Sequence, residues 1–199
     1  MFAPTPTGPA LADTRDLYFQ CLATPETTQR ASARLMVRQA LRETLALLLP
    51  TVREALSLIS APGQPIRLEP PWTGVGLSVS HEPGLSLIAI HLAGPVGVDL
   101  MRVASAPANS NALARDYLGP GAAAALAKLP AEQLHCAFAK AWTRLEARLK
   151  CLALELREWT PEFEARLAAC SVAELTMPAG WVAAVAIPGD RLRNASRNA

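Results

Sequence analysis

The chain has little charge and few aromatic side chains. Charged residues make up 18% of its 199 positions, aromatic residues 5%, and the formal net charge is +2. A protein that grips nucleic acid nonspecifically needs a strong basic field, and stacking against bases needs aromatic rings. We therefore expect no nucleic acid partner, and any recognition of phosphate has to be local.

Metal-binding and redox patterns of cysteine are missing. The four cysteines, at positions 21, 136, 151 and 170, form no CxxC pair and have no histidine at the spacing of a zinc site. Scattered thiols of this kind are typical of buried residues in a reducing compartment.

Long apolar runs are missing too. No segment reaches the roughly 18 apolar residues of a membrane span, and the first residues lack a basic stretch followed by an apolar one. We therefore expect a cytoplasmic protein without a membrane contact.

Apolar residues are nevertheless abundant, at 51%, and fall into two halves of similar pattern. Leucines spaced by three and four predict a helix from residue 27 or 28 to 49, and a second, longer helix over 131–157. The other predicted elements are strands at 66–68, 75–80, 85–92, 96–100, 171–177 and 181–187, a helical segment at 113–118, and an alanine-rich turn after it. A helix followed by a small antiparallel meander, used twice, predicts an α+β fold rather than alternating βαβ units.

Two places carry candidate chemistry. Asp99 follows a short apolar strand, where it is either a turn or cap residue or a ligand of something outside the strand. Glu146 and Lys150 lie one helical turn apart, beside an apolar stripe. That stripe consists of Trp142, Leu145, Leu149, Leu152 and Leu156. An isolated Glu and Lys at this spacing is usually a solvated pair worth a few tenths of a kcal/mol, so the helix alone does not identify a site.

Four short motifs in one order favour a site. They are "GQP" (63–65), "LSVSHEPG" (77–84), "VGVDL" (96–100) and "WTRLEARLK" (142–150). The set resembles the 4'-phosphopantetheinyl transferase superfamily, of the two-lobe, surfactin-synthetase-activating type. Its marks are a G-K-P turn, an S-H strand end, a [VI]-G-[VI]-D strand and a helix with W-[ST]-x-K-E-[AS]-x-x-K. Each motif alone is weak, whereas four in order at plausible spacing are specific.

The resemblance implies two pseudo-symmetric α+β lobes, each a long helix on a small antiparallel sheet, with the active site between them. The lobes would span residues 1–98 and 99–199. It also implies a reaction in which the 4'-phosphopantetheine arm of coenzyme A is transferred to a serine of an apo acyl or peptidyl carrier protein. A chain holding both lobes is expected to act as a monomer.

Three residues would carry that chemistry. The resemblance makes Asp99 and Glu146 the ligands of Mg2+, with coenzyme A as co-substrate, because a hard divalent ion offsets the charge of a breaking pyrophosphate. Lys150 would stabilise or protonate the leaving group. Glu146, or a water that it orients, would accept the proton of the carrier serine; the sequence does not separate these two versions.

The nucleotide would be held by the first half of the chain. The resemblance implies that His81 binds the 3'-phosphate, that Ser80 donates to the same phosphate, and that Arg30 or Arg34 lies near the 3'-phosphate or the adenine. The turn with Gly63 and Pro65 would complete this set.

Three positions depart from the family pattern, namely Met101, Leu145 and Gln64. Met101 stands where the larger branch has a second acid, which implies weaker Mg2+ binding or a preference for Mn2+. Leu145 and Gln64 each replace a lysine, although Arg144 offers a nearby cation. These changes leave an alternative open, in which the protein is a degenerate member that binds carrier protein or coenzyme A without catalysis.

Overall fold

The computed structural model describes residues 2–3, 6–7, 16–26, 30–60, 65–105 and 107–189. The strands are β1 (Pro6–Thr7), β2 (Leu17–Ala23), β3 (Leu58–Ile59), β4 (Arg67–Leu68), β5 (Gly76–Glu82), β6 (Leu85–His91), β7 (Gly97–Arg102), β8 (Cys170–Leu175) and β9 (Trp181–Pro188). The α-helices are α1 (Arg30–Leu48), α2 (Ser110–Leu113), α3 (Gly119–Leu126), α4 (Ala131–Leu152) and α5 (Pro161–Leu167). Short 3-10 turns span Arg53–Ala55 and Val103–Ser105, and a π-helical turn spans Ala114–Leu118.

Two antiparallel sheets form the centre of the molecule. The first sheet has three strands in the order β2-β6-β5, and the second has four in the order β1-β8-β9-β7, while β3 and β4 form a separate pair. All seven residues of β6 are buried, because it is covered on both faces. Ile88 and Ile90 pack under α1, whereas Leu87 and Ala89 pack against the second sheet. This alternation is the period of two expected of a strand.

The layers therefore run from α1 through the first sheet and the second sheet to α4. Apolar residues of β7, β8 and β9 meet the first sheet on one face, and the other face of the second sheet packs on α4 through Ala184 and Ala186. The mixed α+β class with small antiparallel sheets is confirmed. The pseudo-symmetry of two lobes and the boundary between residues 98 and 99 stay predictions.

Strand β7 does not extend the first meander. It follows β6 in the chain, yet it pairs with β9 in the second sheet. Serine hydroxyls connect it to β5 instead: the amide of Val98 donates to Ser78 Oγ at 2.9 Å, and the amide of Leu100 donates to Ser80 Oγ at 3.1 Å. β7 is thus the strand at which the two sheets meet.

Several sequence-based boundaries were wrong. Helix α4 ends at Leu152 rather than at 157, because Ala153 takes a left-handed φ of 51°. The amides of Ala153 and Leu154 then bond back to the carbonyls of Lys150 and Leu149, at 3.3 and 2.9 Å, which is a Schellman-type helix end. Leu156, expected in the apolar stripe, is 41% exposed as a result.

Other elements were missed or assigned the wrong type. The alanine-rich stretch after residue 118 is helix α3, since alanine is the best helix former and Pro120 suits a first turn. Strand β2 and helix α5 were not predicted, although α5 has a clear start signal in Thr160, whose hydroxyl accepts from the amide of Phe163. Leu35, counted among the apolar residues of α1, is 70% exposed.

Candidate active site

The backbones of α4 and β7 approach each other closely. A Cβ atom added at Gly97 would overlap the carbonyl oxygen of Ala147 and the amide nitrogen of Cys151. Small side chains on both sides, including Ala147 and Ala184, make this approach possible. The last turns of α4 are therefore held against the strand that carries Asp99.

Asp99 and Lys150 form an ion pair across this contact. Lys150 Nζ lies 2.6 Å from Asp99 Oδ1 and 3.1 Å from the carbonyl oxygen of Val98. Asp99 is buried, and its Oδ1 also accepts a hydrogen bond from Ser80 Oγ at 2.9 Å. Charge-assisted bonds of this length are the stronger class, so the carboxylate of Asp99 is fixed by two other elements, β5 and α4.

Glu146 lies one turn before Lys150, and the charges of Asp99 and Lys150 both change the pKa of its carboxyl. Burial raises the pKa of its carboxyl, and the Asp99 carboxylate raises it further, while the Lys150 ammonium lowers it. The net direction is upward. Two partly buried carboxylates thus repel one another at this point.

This carboxylate pair has the chemistry of a hard-cation site. Burial is the main cause of the raised pKa of Glu146, and a divalent cation between Asp99 and Glu146 would offset the repulsion that adds to it. In the described part of the chain no cluster of three or more histidine, cysteine, aspartate or glutamate side chains suits a metal. Mg2+ often takes only one or two carboxylates together with waters and substrate phosphates, so two protein ligands fit it.

A cleft of about 740 Å³ opens beside this pair. Its walls come from α1, from β5 and from the end of α4 and the residues that follow. Lys150 therefore faces Asp99 and also lines the cleft. The sequence-predicted residues on the cleft wall are Arg34, Pro65, His81 and Lys150.

A comparison with protein families matches residues 95–181 to the model of the 4'-phosphopantetheinyl transferase superfamily. This segment of the chain is similar to the domain of that superfamily. It contains Asp99, Glu146 and Lys150, and the match supports a phosphopantetheinyl transferase function in general. No curated protein matches the chain.

The matched segment alone does not contain the cleft. The cleft walls that carry Arg34 and His81 lie before residue 95 in the chain.

No helix within the described ranges has the length and apolar character that crossing a bilayer requires.

His81 is held by a chain of hydroxyls. Its Nδ1 lies 2.8 Å from Ser86 Oγ, and that hydroxyl donates to Thr24 Oγ1 at 3.3 Å. The hydroxyls of Ser86 and Thr24 thus fix the orientation of the His81 ring through its Nδ1. Ser86 and Thr24 were not predicted, since their contact with His81 depends on strand pairing.

Ser80 does not line the cleft. It is buried, and its single proton is directed at Asp99 Oδ1. The phosphate contact expected of Ser80 stays a prediction. To donate to a phosphate, the Ser80 hydroxyl would have to break its hydrogen bond to Asp99.

The arginines of α1 have different surroundings, and both Arg34 and Arg38 line the cleft. Arg38 Nη1 donates to the carbonyl of Leu58 at 3.3 Å and its Nη2 to Ser60, while Arg42 Nε donates to the carbonyl of Leu56 at 3.3 Å. Arg34 is exposed and lines the cleft. Gly63 and the side chain of Arg30, both predicted to contact the nucleotide, lie outside the described residues.

One of the departures from the family pattern has a structural explanation. Leu145 is 2% exposed and packs with Leu149 and Phe163, so this position serves the core. The nearby cation, Arg144, lies 4.0 Å from Glu174. Met101 is half-buried on β7, and Gln64 falls outside the described residues.

Proposed function

We propose that the protein transfers the 4'-phosphopantetheine arm of coenzyme A to a serine of an apo acyl or peptidyl carrier protein in a Mg2+-dependent reaction. The observation that carries the proposal is Lys150, which pairs with Asp99, follows Glu146 by one turn and lines the cleft. Lys150 thus connects the cleft to the carboxylates, since Asp99 and Glu146 are not themselves among the residues that line it.

The cleft suits a ligand with apolar and anionic parts. Leu77, Ile66 and Leu149 supply apolar surface, and Arg34 and Lys150 supply positive charge. Coenzyme A has both features, because its phosphates are anionic while its adenine and pantetheine present flat and alkyl surface. Arg34 and His81 would hold the nucleotide end, at the wall formed by α1 and β5.

The transfer breaks the bond between one phosphorus of the pyrophosphate and the bridging oxygen. The serine oxygen of the carrier forms the new bond to that phosphorus, and 3',5'-adenosine bisphosphate leaves. Asp99 and Glu146 are the residues that would hold Mg2+, which supplies charge neutralisation on the phosphate oxygens when bound.

The proton of the serine needs an acceptor. Glu146 would accept it, directly or through a water that it orients. Lys150 would stabilise the charge on the leaving oxygen or donate a proton to it. Its bond to Asp99 sets the position from which it does so.

The decisive experiment mixes the full chain with coenzyme A, Mg2+ and a panel of apo carrier proteins from fatty acid, polyketide and peptide synthesis. Mass spectrometry should show one phosphopantetheine arm added to at least one carrier. Asp99→Asn and Glu146→Gln should abolish the mass gain, whereas Glu132→Gln, at an exposed position in the first turn of α4, should not.

The alternative of binding without catalysis predicts a different outcome. Calorimetry would then detect binding of coenzyme A by the native chain while no carrier gains mass with Mg2+ or Mn2+. That result would overturn the transferase proposal. Absence of binding to coenzyme A and to every carrier protein in the panel would overturn the alternative as well.

A further inference from the structure

Ser80 contacts the candidate metal ligand rather than the cleft. Its hydroxyl donates to Asp99 Oδ1 at 2.9 Å and accepts from the amide of Leu100 at 3.1 Å. Only 6% of the residue is exposed. A serine hydroxyl has one proton to donate, and Ser80 donates it in the hydrogen bond to the carboxylate of Asp99.

Both donors to Asp99 meet on the same oxygen. Lys150 Nζ and Ser80 Oγ each donate to Oδ1, and within the described residues no hydrogen bond reaches Oδ2. A carboxylate fixed through one oxygen keeps the lone pairs of the other for a ligand from outside. Partners of this kind behind a metal ligand commonly change metal affinity by 10- to 100-fold.

We propose that Ser80 is a positioning residue, which orients the carboxylate of Asp99 for a divalent cation instead of binding a phosphate of coenzyme A. The inference rests on the metal site of the proposed function. Ser80 would act from β5 on Asp99 of β7, at the place where the two sheets meet.

The chain contains a matched control two residues away. Ser78 lies on the same strand, is also 6% exposed, and accepts from the amide of Val98 at 2.9 Å just as Ser80 accepts from Leu100. Ser78 Oγ has no hydrogen bond to Asp99 in the described part of the structure. Ser78→Ala and Ser80→Ala therefore remove the same link between strands. They differ in the bond to the carboxylate, and also in that Ser78 lines the cleft whereas Ser80 does not.

The test measures binding of Mn2+ to the metal-free full chain by electron paramagnetic resonance, without coenzyme A. Ser80→Ala should weaken Mn2+ binding about 10-fold relative to Ser78→Ala. Ser80→Thr keeps a hydroxyl and should restore most of the affinity, which also covers the case in which the alanine variant folds poorly. Calorimetry with 3',5'-adenosine bisphosphate in the presence of a chelator should give Ser80→Ala the same affinity as the native chain.

Two results would overturn the inference. Equal Mn2+ affinity of the two alanine variants would show that the bond to Asp99 does not matter for the metal. Nucleotide affinity lost in Ser80→Ala alone, with Mn2+ affinity intact, would make Ser80 a phosphate ligand. If instead Asp99→Asn binds Mn2+ as well as the native chain, the metal site itself is wrong, and the inference falls together with that part of the proposed function.

Discussion

The two long helices pack on their sheets in different ways. Helix α1 buries large side chains, Val37, Leu41 and Leu45, against the isoleucines of β6. Helix α4 meets β7 and β9 through alanines and Gly97, so its backbone comes much closer to its sheet. The helix at the closer contact is the one that holds Lys150 against Asp99.

The two kinds of helix packing suit two different requirements of the candidate site, a fixed geometry for the reacting groups and a positive charge for binding an anion. Reacting groups need a fixed geometry, which a small-residue contact provides because there is little side-chain freedom between the two backbones. An anion-binding wall needs charge more than precision, and the exposed arginine of α1 supplies charge. The following predictions change one side of this comparison at a time, from the largest expected effect to the smallest.

The close contact should not tolerate one extra methyl group. Gly97→Ala places a Cβ onto the backbone of α4, where no flexible side chain can move away. We expect a loss of about 3 kcal/mol or more, which lowers the melting temperature by roughly 6–12 °C or prevents folding. Gly74→Ala is the control, since a Cβ there has no heavy atom within 4 Å. Equal melting curves for the two variants, followed by circular dichroism, would contradict the close packing of α4.

Removing the ammonium of α4 should abolish most transfer. Lys150→Met keeps the alkyl stem but loses the charge that pairs with Asp99 and lines the cleft. We expect the rate of carrier modification to fall about 100-fold or more. Lys140→Met, on the same helix, breaks only an exposed ion pair with Glu174 and should change the rate less than about twofold. A similar loss in both variants would show that general charge, not position, matters.

The arginines of α1 should separate into ligand and scaffold. Arg34→Ala removes an exposed cation from the cleft wall, and the KM for coenzyme A should rise about 10-fold with little change in kcat. Arg42→Ala removes a bond to the carbonyl of Leu56 and should lower the melting temperature without changing KM. The reverse assignment in steady-state kinetics would place the nucleotide at the other end of the arginine series.

The end of α4 should gain stability from a glycine. Ala153 has a left-handed φ of 51°, which costs a residue with a Cβ about 1–2 kcal/mol. Ala153→Gly should raise the melting temperature by roughly 2–4 °C. Ala124→Gly, at an exposed position inside α3, should have the opposite sign because glycine weakens a helix interior. A lower melting temperature in both variants would argue against the helix end described above.

The smallest expected effect concerns the charge of Glu146. Its pKa is raised on folding, chiefly by burial, so the ionised carboxylate costs stability at neutral pH and the cost disappears below the unfolded pKa. Glu146→Gln should therefore melt slightly higher than the native chain at pH 7, by about 2 °C or less, and equally at pH 4. A native chain that is the more stable of the two at pH 7 would reverse the sign of this charge effect.

Local patterns predicted much of α4 and little of how it ends. The spacing of Leu145 and Leu149 placed the core face correctly, because helix periodicity is a property of a few neighbouring residues. The end at Leu152 depends on the left-handed Ala153, a conformation for which alanine gives no sequence signal. The apolar Leu156 therefore continued the pattern beyond the helix.

The partners of the site were harder to predict. The order of motifs brought Asp99 and Lys150 into one hypothesis, and the structure puts them 2.6 Å apart. The bond from Ser80 to Asp99 depends on β5 lying beside β7, although the chain order suggests that β7 follows β6 in the same sheet. Such contacts arise from long-range pairing, which no window of the sequence contains.

The position of β7 also limits what can be cut from the molecule. A fragment of residues 95–181 would keep the two carboxylates and the lysine, yet it would lose Ser80 and the wall with Arg34 and His81. It would also lose all of β9 after Trp181 and expose the apolar face that β7 turns toward the first sheet. The family match therefore marks a recognisable segment and not a transplantable module, so an attempt to move this chemistry into another protein has to carry both sheets.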